Sequence, residues 1–415
     1  MNQKLFSKDF ILVVIGQIIS LFGNAAIRFA LPLYLLNLTG SSALYGTVTA
    51  CAFIPSILLS PVGGIVADRV NKRNIMVLLD FFTAAVILIF SLLMNGGHLI
   101  LLLTVTLMLL YGIAGAYQPA VQASIPALIG QEHFMAANAI INTIGSFAAL
   151  MGPVIGGVLY SIYGLRPVLW VCMICFVLSA VMEIFIHIPF RKQETQTSLL
   201  LTVKADFVRS VNFIRKEKPV IGKVLLVVCG INLFLSAMIM VALPYLVTEI
   251  LDLEASQANR LYGFAEGALA AGGLFGGIGA GVFAKKLKVR KAGNLIIACA
   301  AAVFPMGAAL LLSLSGIVSY IVLILCCFCI MVFSTTFSVQ MMAFVQTETP
   351  QDLMGKVIGV ILTIAMCAQP LGNALYGVLF EVCRGFEYGV VLFSGVVSFG
   401  IAVAAGKIFA GFSEA

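Results

Sequence analysis

Five ionisable side chains interrupt the long apolar runs of this 415-residue chain: Arg28, Asp80, Glu183, Glu266 and Glu381. A charge surrounded by hydrocarbon costs at least about 2.5 kcal/mol, so each of these residues needs a partner or a purpose. Carboxyl groups in apolar surroundings can bind and release a proton, or they can hold a cation. These side chains are therefore the first candidates for proton or substrate binding.

Arg28 and Glu266 are candidates for a functional pair, because they have opposite charges and each lies about five residues from the centre of its apolar run. In one interpretation, Glu266 binds a proton or a cationic substrate, and Arg28 is its counter-charge. In the other, the two side chains form a static salt bridge, since buried ion pairs also occur as structural features. The sequence leaves both interpretations open.

Asp80 and Glu183 have simpler explanations. Asp80 lies about two helical turns from Arg73, so an ion pair with Arg69 or Arg73 is favoured over a proton site. Glu183 lies near the end of the sixth apolar run, where snorkelling cations are within reach, so we expect a structural role. Its expected partners are Arg191 and Lys192.

Uncharged polar side chains on the same runs are candidates for contact with a substrate. Their alternative role is hydrogen bonding between helices, which contributes about 0.6 kcal/mol on average. Glu381 and Glu387 flank a loop with Arg384 and are expected to stay in water. The uncharged candidates are Asn24, Gln118, Gln122, Asn232, Gln340, Gln369 and Asn373.

Several kinds of chemistry have no support in the sequence. The chain contains no G-x-x-x-x-G-K-[ST] loop, so no ATP is expected to bind. The glycines between positions 272 and 281 lie in an apolar run, and their four-residue spacing is typical of close helix packing rather than nucleotide binding. The three histidines and ten cysteines form no metal-binding or catalytic pattern. We therefore expect no metal, no cofactor and no enzymatic activity.

The elements that must position the candidate residues are membrane helices. The chain is 61% hydrophobic with a mean hydropathy of +1.12, and only 10% of its residues are charged, against about 25% in soluble proteins. Apolar runs of about 20 residues or more, long enough to span a bilayer, predict an all-α membrane protein with twelve transmembrane helices in two six-helix repeats. The predicted spans are Asp9–Leu36, Ala43–Ala67, Asn74–Met94, Leu99–Gln122, Phe134–Tyr163, Pro167–Ile188, Val220–Val247, Arg260–Ala284, Ala292–Leu314, Val318–Phe344, Leu353–Phe380 and Tyr388–Phe409.

The distribution of lysine and arginine predicts the orientation of these helices. With both termini in the cytoplasm, twenty of the 24 Lys and Arg residues lie inside, and only Arg166, Arg260 and Arg384 lie outside. The net charge of +7 is then a signal of topology, and it predicts no nucleic-acid partner. The expected location is the cell (plasma) membrane.

The chain contains an internal repeat. Ala30–Tyr34 recurs at Ala242–Leu246 with an offset of 212, whereas the Leu-Tyr-Gly at 44–46 recurs at 261–263 with an offset of 217. A short insertion between Pro244 and Leu261 explains the change. Two duplicated halves in an apolar chain are typical of a secondary transporter, whose site lies between the halves. The larger offset also relates Gly64 to Gly281, Arg73 to Arg290 and Pro153 to Pro370.

Three segments follow from this repeat: a six-helix bundle over 1–188, a cytoplasmic linker over 189–219 and a second six-helix bundle over 220–415. The linker is the longest polar stretch of the chain. Apolar residues recur in it at helical spacing, which predicts an amphipathic helix on the inner membrane surface. These residues are Val203, Phe207, Val211 and Ile214.

The loop after the second apolar run reads G-I-V-A-D-R-V-N-K-R over residues 64–73. It resembles the G-x-x-x-D-R-x-G-R-[KR] loop of the major facilitator superfamily. Asn71 and Lys72 depart from that pattern, and in the second-half copy Lys285 and Lys286 replace the Asp-Arg pair. The matching residues are Gly64, Asp68, Arg69 and Arg73.

This resemblance implies a gating role for Asp68. The acid would face the start of the eleventh helix when the inner gate is shut, and the positive end of the helix dipole would attract it. Thr349 is expected to cap that helix, with Pro350 at its first position. The simpler alternative is that the loop only anchors positive charge inside, which explains the cations but not the acid.

The fifth apolar run contains a second family motif. Gly152, Pro153, Gly156 and Gly157 resemble the G-P-x-x-G-G core of the antiporter motif found in drug:proton exporters of this superfamily. Upstream positions that are usually glycine are Ala139 and Ala148 in this chain. Residues of the first run resemble the macrolide-efflux and siderophore-exporter branch, which usually has Asp at the position of Asn24. They are Gln17, Ser20, Gly23 and Asn24.

These resemblances imply a function: proton-coupled export of amphipathic small molecules of the drug or macrolide type, by alternating access. The proton gradient would be the driving force, the lipid bilayer and a small-molecule substrate the partners, and a monomer the working unit. The alternatives are export of one endogenous metabolite or siderophore, and a non-transporting membrane sensor or scaffold. The candidate site residues for substrate or proton binding are Arg28, Glu266, Asn24, Asp80 and Gln369. The gating loop and the antiporter-type motif complete the candidate site.

Overall fold

The computed structural model of the protein describes residues 7–130, 133–188, 207–283, 289–350 and 353–410. Twelve of its helices are long and apolar enough to cross a membrane, which confirms the predicted all-α fold class. Most predicted bounds agree with the structure within a few residues, although the fourth helix continues past Gln122. In chain order the helices are α1 Lys8–Thr39, α2 Ser42–Arg69, α3 Lys72–Leu93, α4 Leu99–Leu128, α5 Phe134–Tyr163, α6 Leu165–Ile184, α7 Pro219–Ile250, α8 Ala255–Val282, α9 Ala292–Leu311, α10 Gly316–Glu348, α11 Met354–Val382 and α12 Glu387–Ala410.

Capping residues explain where the first helices begin and end. The Ser7 hydroxyl accepts a hydrogen bond from the Phe10 amide at 3.2 Å, which satisfies a free donor at the start of α1. Gly40 ends α1 in the left-handed conformation with a φ of 58°. Asn71 lies before α3 with a φ of −59°, and its side chain accepts a hydrogen bond from the Arg73 amide. Asn71 therefore serves as a helix cap, and its turn needs no left-handed residue.

The helix α7 differs from the others because π-helical turns interrupt it. Its α-helical parts are Pro219–Ile231 and Ala237–Tyr245. The π-helical parts are Asn232–Ser236 and Leu246–Ile250. Within the second π segment, the Leu251 amide donates to the Leu246 carbonyl, five residues back. The second segment lies where the repeat offset changes, so a π-helical turn accommodates part of the predicted insertion.

The expected cap of α11 is wrong. Thr349 ends α10 instead, and its hydroxyl donates to the Val345 carbonyl one turn earlier at 2.7 Å. The helix α11 begins at Met354, after Leu353. Residues 351 and 352 lie outside the described residues. A threonine before a proline looks the same in sequence at a helix start and at a helix end, because both positions leave backbone groups without partners.

The contacts divide the chain into two compact units. Unit 1 contains α1, α2 from Val48 onward, α3 to α6, and Glu254–Gly267 at the start of α8. In its interior, α1 packs against α5 and α6, and α3 packs against α4 and α6. A tight apolar cluster that includes Phe10, Ile125 and Ile186 closes one end of unit 1.

Unit 2 contains Ser41–Thr47 at the start of α2, α7, α8 from Ala268 onward, and α9 to α12. Its packing repeats that of unit 1, since α7 packs against α11 and α12, and α9 packs against α10 and α12. Pro153 and Pro370 accordingly lie in corresponding helices, α5 and α11.

The described part of the linker begins at residue 207 and is helical as far as Glu217. Phe213 and Ile214 are buried in an apolar cluster with Val345 and Val357, whereas Phe207 is 45% exposed. The predicted helix is therefore present over these residues, although its buried side is centred on Phe213 rather than on Phe207. Val203 lies outside the described residues.

Candidate functional site

The most polar region of unit 1 lies between α1, α3, α4 and α6. Asp80 of α3 is only 2% exposed, and its Oδ1 accepts a hydrogen bond from the Ser20 hydroxyl at 3.2 Å. The Ser179 hydroxyl of α6 donates to the Gly16 carbonyl of α1 at 3.2 Å in the same region. The expected ion pair with Arg73 is absent, because Arg73 forms no ion pair with any residue that the structure describes, and its Nε is buried without a partner.

Glu183 belongs to the same region. It is fully buried, and its Oε1 accepts a hydrogen bond from the Tyr117 hydroxyl at 2.6 Å. The Tyr117 oxygen in turn accepts a hydrogen bond from Gln17 Nε2 at 2.7 Å. The expectation that Glu183 snorkels towards Arg191 and Lys192 is therefore wrong for its side chain, which points into the bundle; those two cations lie outside the described residues.

A small cavity adjoins Asp80. Its walls include Ser20, Asn24, Asp80, Tyr117 and Phe176, and its interior has room for about one water molecule. Sites for drug-sized ligands occupy about 300–1,000 Å³, so an organic substrate does not fit here. The cavity suits a proton, a water molecule or a small cation, and it includes the predicted site residue Asn24.

Arg28 and Glu266 both lie in unit 1 but are not an ion pair. The Arg28 guanidinium lies over the Tyr111 ring, with its central carbon 3.4 Å from the ring centroid. Phe53 packs edge-on against the same ring, at 5.2 Å between centroids. A cation over an aromatic ring is attracted to the partial negative charge of the ring face. The Tyr111 ring is therefore the partner of Arg28, in place of an acid.

Glu266 is half-buried and has a tyrosine as its partner. The Tyr262 hydroxyl donates to Glu266 Oε1 at 3.2 Å, one turn away on α8. The Tyr262 ring stacks on Phe29, with 4.8 Å between centroids. Phe29 is the neighbour of Arg28 in α1, so both charged residues are oriented by aromatic rings. The static salt bridge expected as one alternative is not formed.

The antiporter-type motif lies at tight helix crossings within unit 1. A side chain at Gly152 would collide with Ala25 of α1, and one at Gly156 would touch Ala26. A Cβ atom built on Gly157 would lie 3.0 Å from the Cα of Gly263 in α8. The carbonyl oxygen of Pro153 also faces Gly263. The glycines therefore let α5 approach α1 and α8 closely.

A similar glycine contact occurs in unit 2, joined by an acid. Gly46 of α2 approaches Gly377 of α11, with a built Cβ 2.8 Å from the Gly377 Cα. Glu381, one turn further along α11, accepts hydrogen bonds from the Ser41 hydroxyl at 2.8 Å and the Ala43 amide at 3.4 Å, and so caps the start of α2.

The expectation that Glu381 and Glu387 stay in water is wrong for Glu387, which is buried, whereas 32% of the Glu381 side chain is exposed. Glu381 also pairs with Arg384 at 2.8 Å. Glu387 is only 8% exposed and accepts a hydrogen bond from the Gly385 amide at 2.8 Å.

The uncharged candidates of unit 2 contact neighbouring helices. Gln369 and Asn373 of α11 both direct their amide nitrogens to the sulfur of Met240 in α7, at 3.3 and 3.4 Å. Asn232 donates to the Ala365 carbonyl at 2.9 Å. Gln340 is 8% exposed, and both polar atoms of its side chain are buried without a partner. Gln369 is thus placed at the α7–α11 contact, in a different unit from Glu266.

The gating loop can be followed only in part. The side chains of Gly64, Asp68 and Arg69 lie outside the described residues, so the proposed contact between Asp68 and α11 stays a prediction. Tyr117 and Ser179 of the buried region were missed in the sequence because their partners lie on other helices. A tyrosine at the same helical depth as two acids was the available signal.

The fold and these buried polar groups define a class: a multi-pass membrane transporter built from two six-helix repeats. A comparison with family models identifies the family. The model of the Major Facilitator Superfamily matches residues 13–373. The chain belongs to this superfamily, as its two loop and helix motifs implied.

Similar proteins include several efflux proteins. The chain is 23% identical to macrolide efflux protein A of Streptococcus pyogenes over 398 residues, which cover 94% of this chain and 93% of that protein. It is 34% identical to the multidrug resistance protein MdtG of Enterobacter lignolyticus over 158 residues, or 36% of this chain and 37% of that one.

Solved structures show the same fold. The nucleoside transporter NupG superposes with a TM-score of 0.78 at 14% identity, over 98% of this chain and all of that one. A bacterial homologue of the iron transporter ferroportin, in an inward-facing state, gives a TM-score of 0.71 at 17% identity, over 95% and 98% of the two chains. At these identities the likeness supports the fold alone.

Proposed function

We propose that this transporter exports amphipathic small molecules of the drug or macrolide type from the cytoplasm in exchange for protons. It would do so in the plasma membrane, with both termini in the cytoplasm. The direction and the substrate class are supported by the similarity to a macrolide efflux protein over nearly the whole of both chains. The antiporter-type glycines, which permit close packing of α5 on α1 and α8, add to this support.

The observation that supports coupling of export to protons is the environment of the Glu266 carboxyl group. Its carboxyl group lies in a membrane-spanning helix, is held by the Tyr262 hydroxyl, and has no cation within salt-bridge distance among the described residues. Such a group can be neutralised by a proton or by the positive charge of a substrate. Proton and cationic substrate would then compete for the same carboxylate, which is the simplest form of exchange.

The Asp68 loop would supply the gate. An acid held near the start of α11 stabilises the state in which the inner side is shut, by about 0.3–1 kcal/mol from the helix-dipole interaction. Loss of that charge would weaken the shut state without altering the fold. Asp68→Asn is therefore expected to lower export at normal protein abundance, and unchanged transport rates would reduce the loop to a signal of topology.

Transport assays in inverted membrane vesicles test the function. A panel of macrolides, cationic dyes and siderophores is presented with a proton gradient and again after the gradient is dissipated. We expect uptake of macrolides or dyes into inverted vesicles only when the gradient is present. Uptake restricted to a siderophore would support the endogenous exporter, and no uptake of any compound would favour a sensor or scaffold.

The coupling residue is tested by Glu266→Gln, with Glu254→Gln as the matched control. Glu254 is an exposed acid just before the same helix. We expect Glu266→Gln to bind the dye or macrolide yet fail to accumulate it against its gradient, whereas Glu254→Gln transports normally. Full pH-driven export by Glu266→Gln would eliminate this residue as the coupling site.

A further inference from the structure

Two carboxyl groups are buried inside unit 1, and neither forms an ion pair with a cation that the structure describes. Asp80 is 2% exposed and Glu183 is 0% exposed. Each carboxyl group has one oxygen in a hydrogen bond and one oxygen without a partner, namely Asp80 Oδ2 and Glu183 Oε2. Tyr117 links the two groups, because its hydroxyl bonds to Glu183 and its side chain lines the same small cavity as Asp80.

Among the residues that the structure describes, one further titratable group contacts the pair. That group is Tyr117 from α4, whereas α1 contributes the amides of Gln17 and Asn24 and the hydroxyl of Ser20. Two arginines on the same helices do not pair with these acids. Arg28 lies over Tyr111, and Arg73 forms no ion pair with a described residue.

The hydrogen bonds around the pair have a fixed direction. Tyr117 donates its only hydroxyl proton to Glu183, so its oxygen must accept from Gln17, and the amide of Gln17 is thereby oriented. This orientation leaves Gln17 Oε1 buried without a partner in a side chain that is 0% exposed. Three buried acceptors therefore lack a donor at one place: Gln17 Oε1, Asp80 Oδ2 and Glu183 Oε2.

A proton supplies what this arrangement lacks. Two ionised carboxylates in a water-poor site repel each other and leave both free oxygens unpaired, whereas one proton removes a charge and creates an O–H donor. The adjoining cavity admits about one water molecule, which can pass the proton but leaves no space for an organic ligand.

We propose that Asp80 and Glu183 share one exchangeable proton and form a proton-binding site inside unit 1. This site is separate from Glu266, which lies on α8 with Tyr262 as its partner. Its use in transport rests on the proposed proton exchange, but the binding of the proton does not. Proton uptake forms an O–H bond on a carboxylate oxygen, and release to water breaks that bond. No other reactant is needed.

Infrared difference spectroscopy of the full chain in lipid nanodiscs tests the proposal, because a protonated carboxyl group has a carbonyl band that a carboxylate lacks. The band is followed during a pH titration in wild type, in Glu266→Gln, and in the exposed-acid control Glu249→Gln. It is also followed in Asp80→Asn, in Glu183→Gln and in the variant with both changes. A parallel titration replaces sodium by choline and then adds calcium chloride.

We expect a carbonyl band from the pair in wild type, retained in Glu266→Gln and Glu249→Gln, shifted in each single variant of the pair and lost in the double variant. The band should be indifferent to sodium and calcium at constant pH. The proposal is overturned if the wild type has no titrating band, or if the band disappears in Glu266→Gln. It is also overturned if added sodium or calcium removes the band, because the acceptors then bind a metal ion instead of a proton.

Neither the wild-type titration nor the salt titration depends on a variant, so the proposal stays open to refutation if the double variant does not fold. The outcome is also independent of the substrate. If the vesicle assays show no export while the band behaves as expected, the proposed function fails and the proton site stands. If export is proton-driven while the pair shows no band, the proposed function stands and the proton site fails.

Discussion

The interiors of the two units differ although their helices pack in the same order. In unit 1, α3 and α6 carry Asp80 and Glu183, and these acids meet hydroxyl and amide groups from α1 and α4. The 217-residue offset of the repeat leads from these positions to Ile297 and Gly400 in α9 and α12.

The acids on the described membrane helices of unit 2 lie near helix ends, as Glu249, Glu348, Glu381 and Glu387 do. The helix packing is thus the same in both units. Among the described residues, acids in the interior of a membrane helix occur in unit 1.

This difference gives each unit a separate task. Several polar side chains inside unit 2 donate to backbone carbonyls, as Ser394 does to Phe234 at 2.7 Å and Thr336 does to Gly276 at 3.1 Å. Bonds of that kind hold helices together and do not respond to pH. A response to pH is proposed for the acid pair of unit 1, whose carboxyl groups are buried in the interior of that unit.

The largest expected effect comes from exchanging the residues that distinguish the two units. Ile297→Asp places an unpaired acid in a membrane helix of unit 2, which costs at least about 2.5 kcal/mol. We expect a sharp loss of folded protein, measured by fluorescence-detected size-exclusion chromatography after solubilisation. Asp80→Ile is expected to keep more folded protein than Ile297→Asp but to lose pH-driven transport. Equal yields for the two variants would mean that both units tolerate an interior acid alike.

A smaller effect is expected from a matched pair of tyrosines. Tyr117→Phe leaves Glu183 Oε1 and Gln17 Nε2 without their partner and should lower stability by about 1–3 kcal/mol. Tyr376 of α11 is fully buried and its hydroxyl has no hydrogen-bond partner, so Tyr376→Phe should be neutral or slightly stabilising.

Thermal unfolding followed with a thiol-reactive dye measures both variants, because the thiols of Cys172, Cys299 and Cys327 are buried in the folded chain. A larger loss for Tyr376→Phe than for Tyr117→Phe would contradict the contrast between the units.

A third prediction concerns the contact of α1 with α8. Asn37 Nδ2 donates to Asn259 Oδ1 at 2.8 Å, and Asn259 is only 8% exposed. Asn37→Ala leaves that oxygen unpaired and should cost about 1 kcal/mol, with no dependence on salt. Ser161→Ala removes an exposed hydroxyl that reaches Ser256 and serves as the control, with an expected change within about 0.5 kcal/mol. The same unfolding assay applies, and equal shifts for both variants would refute the argument.

The smallest effect is expected at the corresponding end of unit 2. Glu381→Gln weakens the cap on α2 and removes the ion pair with Arg384. Because this acid is partly exposed, the loss should be about 0.3–1 kcal/mol at low salt and should shrink as salt is added. Unfolding temperatures at two salt concentrations test this, with Asn37→Ala as the variant that salt should leave unchanged. A salt-independent loss at Glu381 would show that packing, and not charge, matters there.

The helices were predictable from the sequence because long apolar runs determine them locally. The twelve spans needed no knowledge of neighbouring helices. The partners of the buried acids did need it: the sequence favoured an ion pair of Asp80 with Arg69 or Arg73, which are near it in the chain, whereas its hydrogen-bond partner Ser20 lies on another helix. A carboxyl group can be recognised in an apolar run, but the residue it faces depends on helix rotation and packing.

The same limit explains Glu183. Its position near a helix end and close to cations in sequence indicated snorkelling, but helix rotation turns the side chain towards Tyr117. The antiporter-type glycines were easier, since a small residue in a membrane helix already implies close approach of another helix. Their partners, Ala25, Ala26 and Gly263, became known only from the structure.

The π-helical turns of α7 bear on how the duplicated chain could change length. An inserted residue rotates everything beyond it by about 100° in an α-helix, which would turn the buried side of the helix towards lipid. A π-helical turn takes up an extra residue locally and leaves the faces on either side in register. The segment Leu246–Ile250 lies between the two repeat offsets of 212 and 217, so the second copy could lengthen there while Pro244 and Tyr262 kept their places. Shortening this segment by one residue would therefore test whether the π-helical turn allowed the second repeat to lengthen without loss of folding.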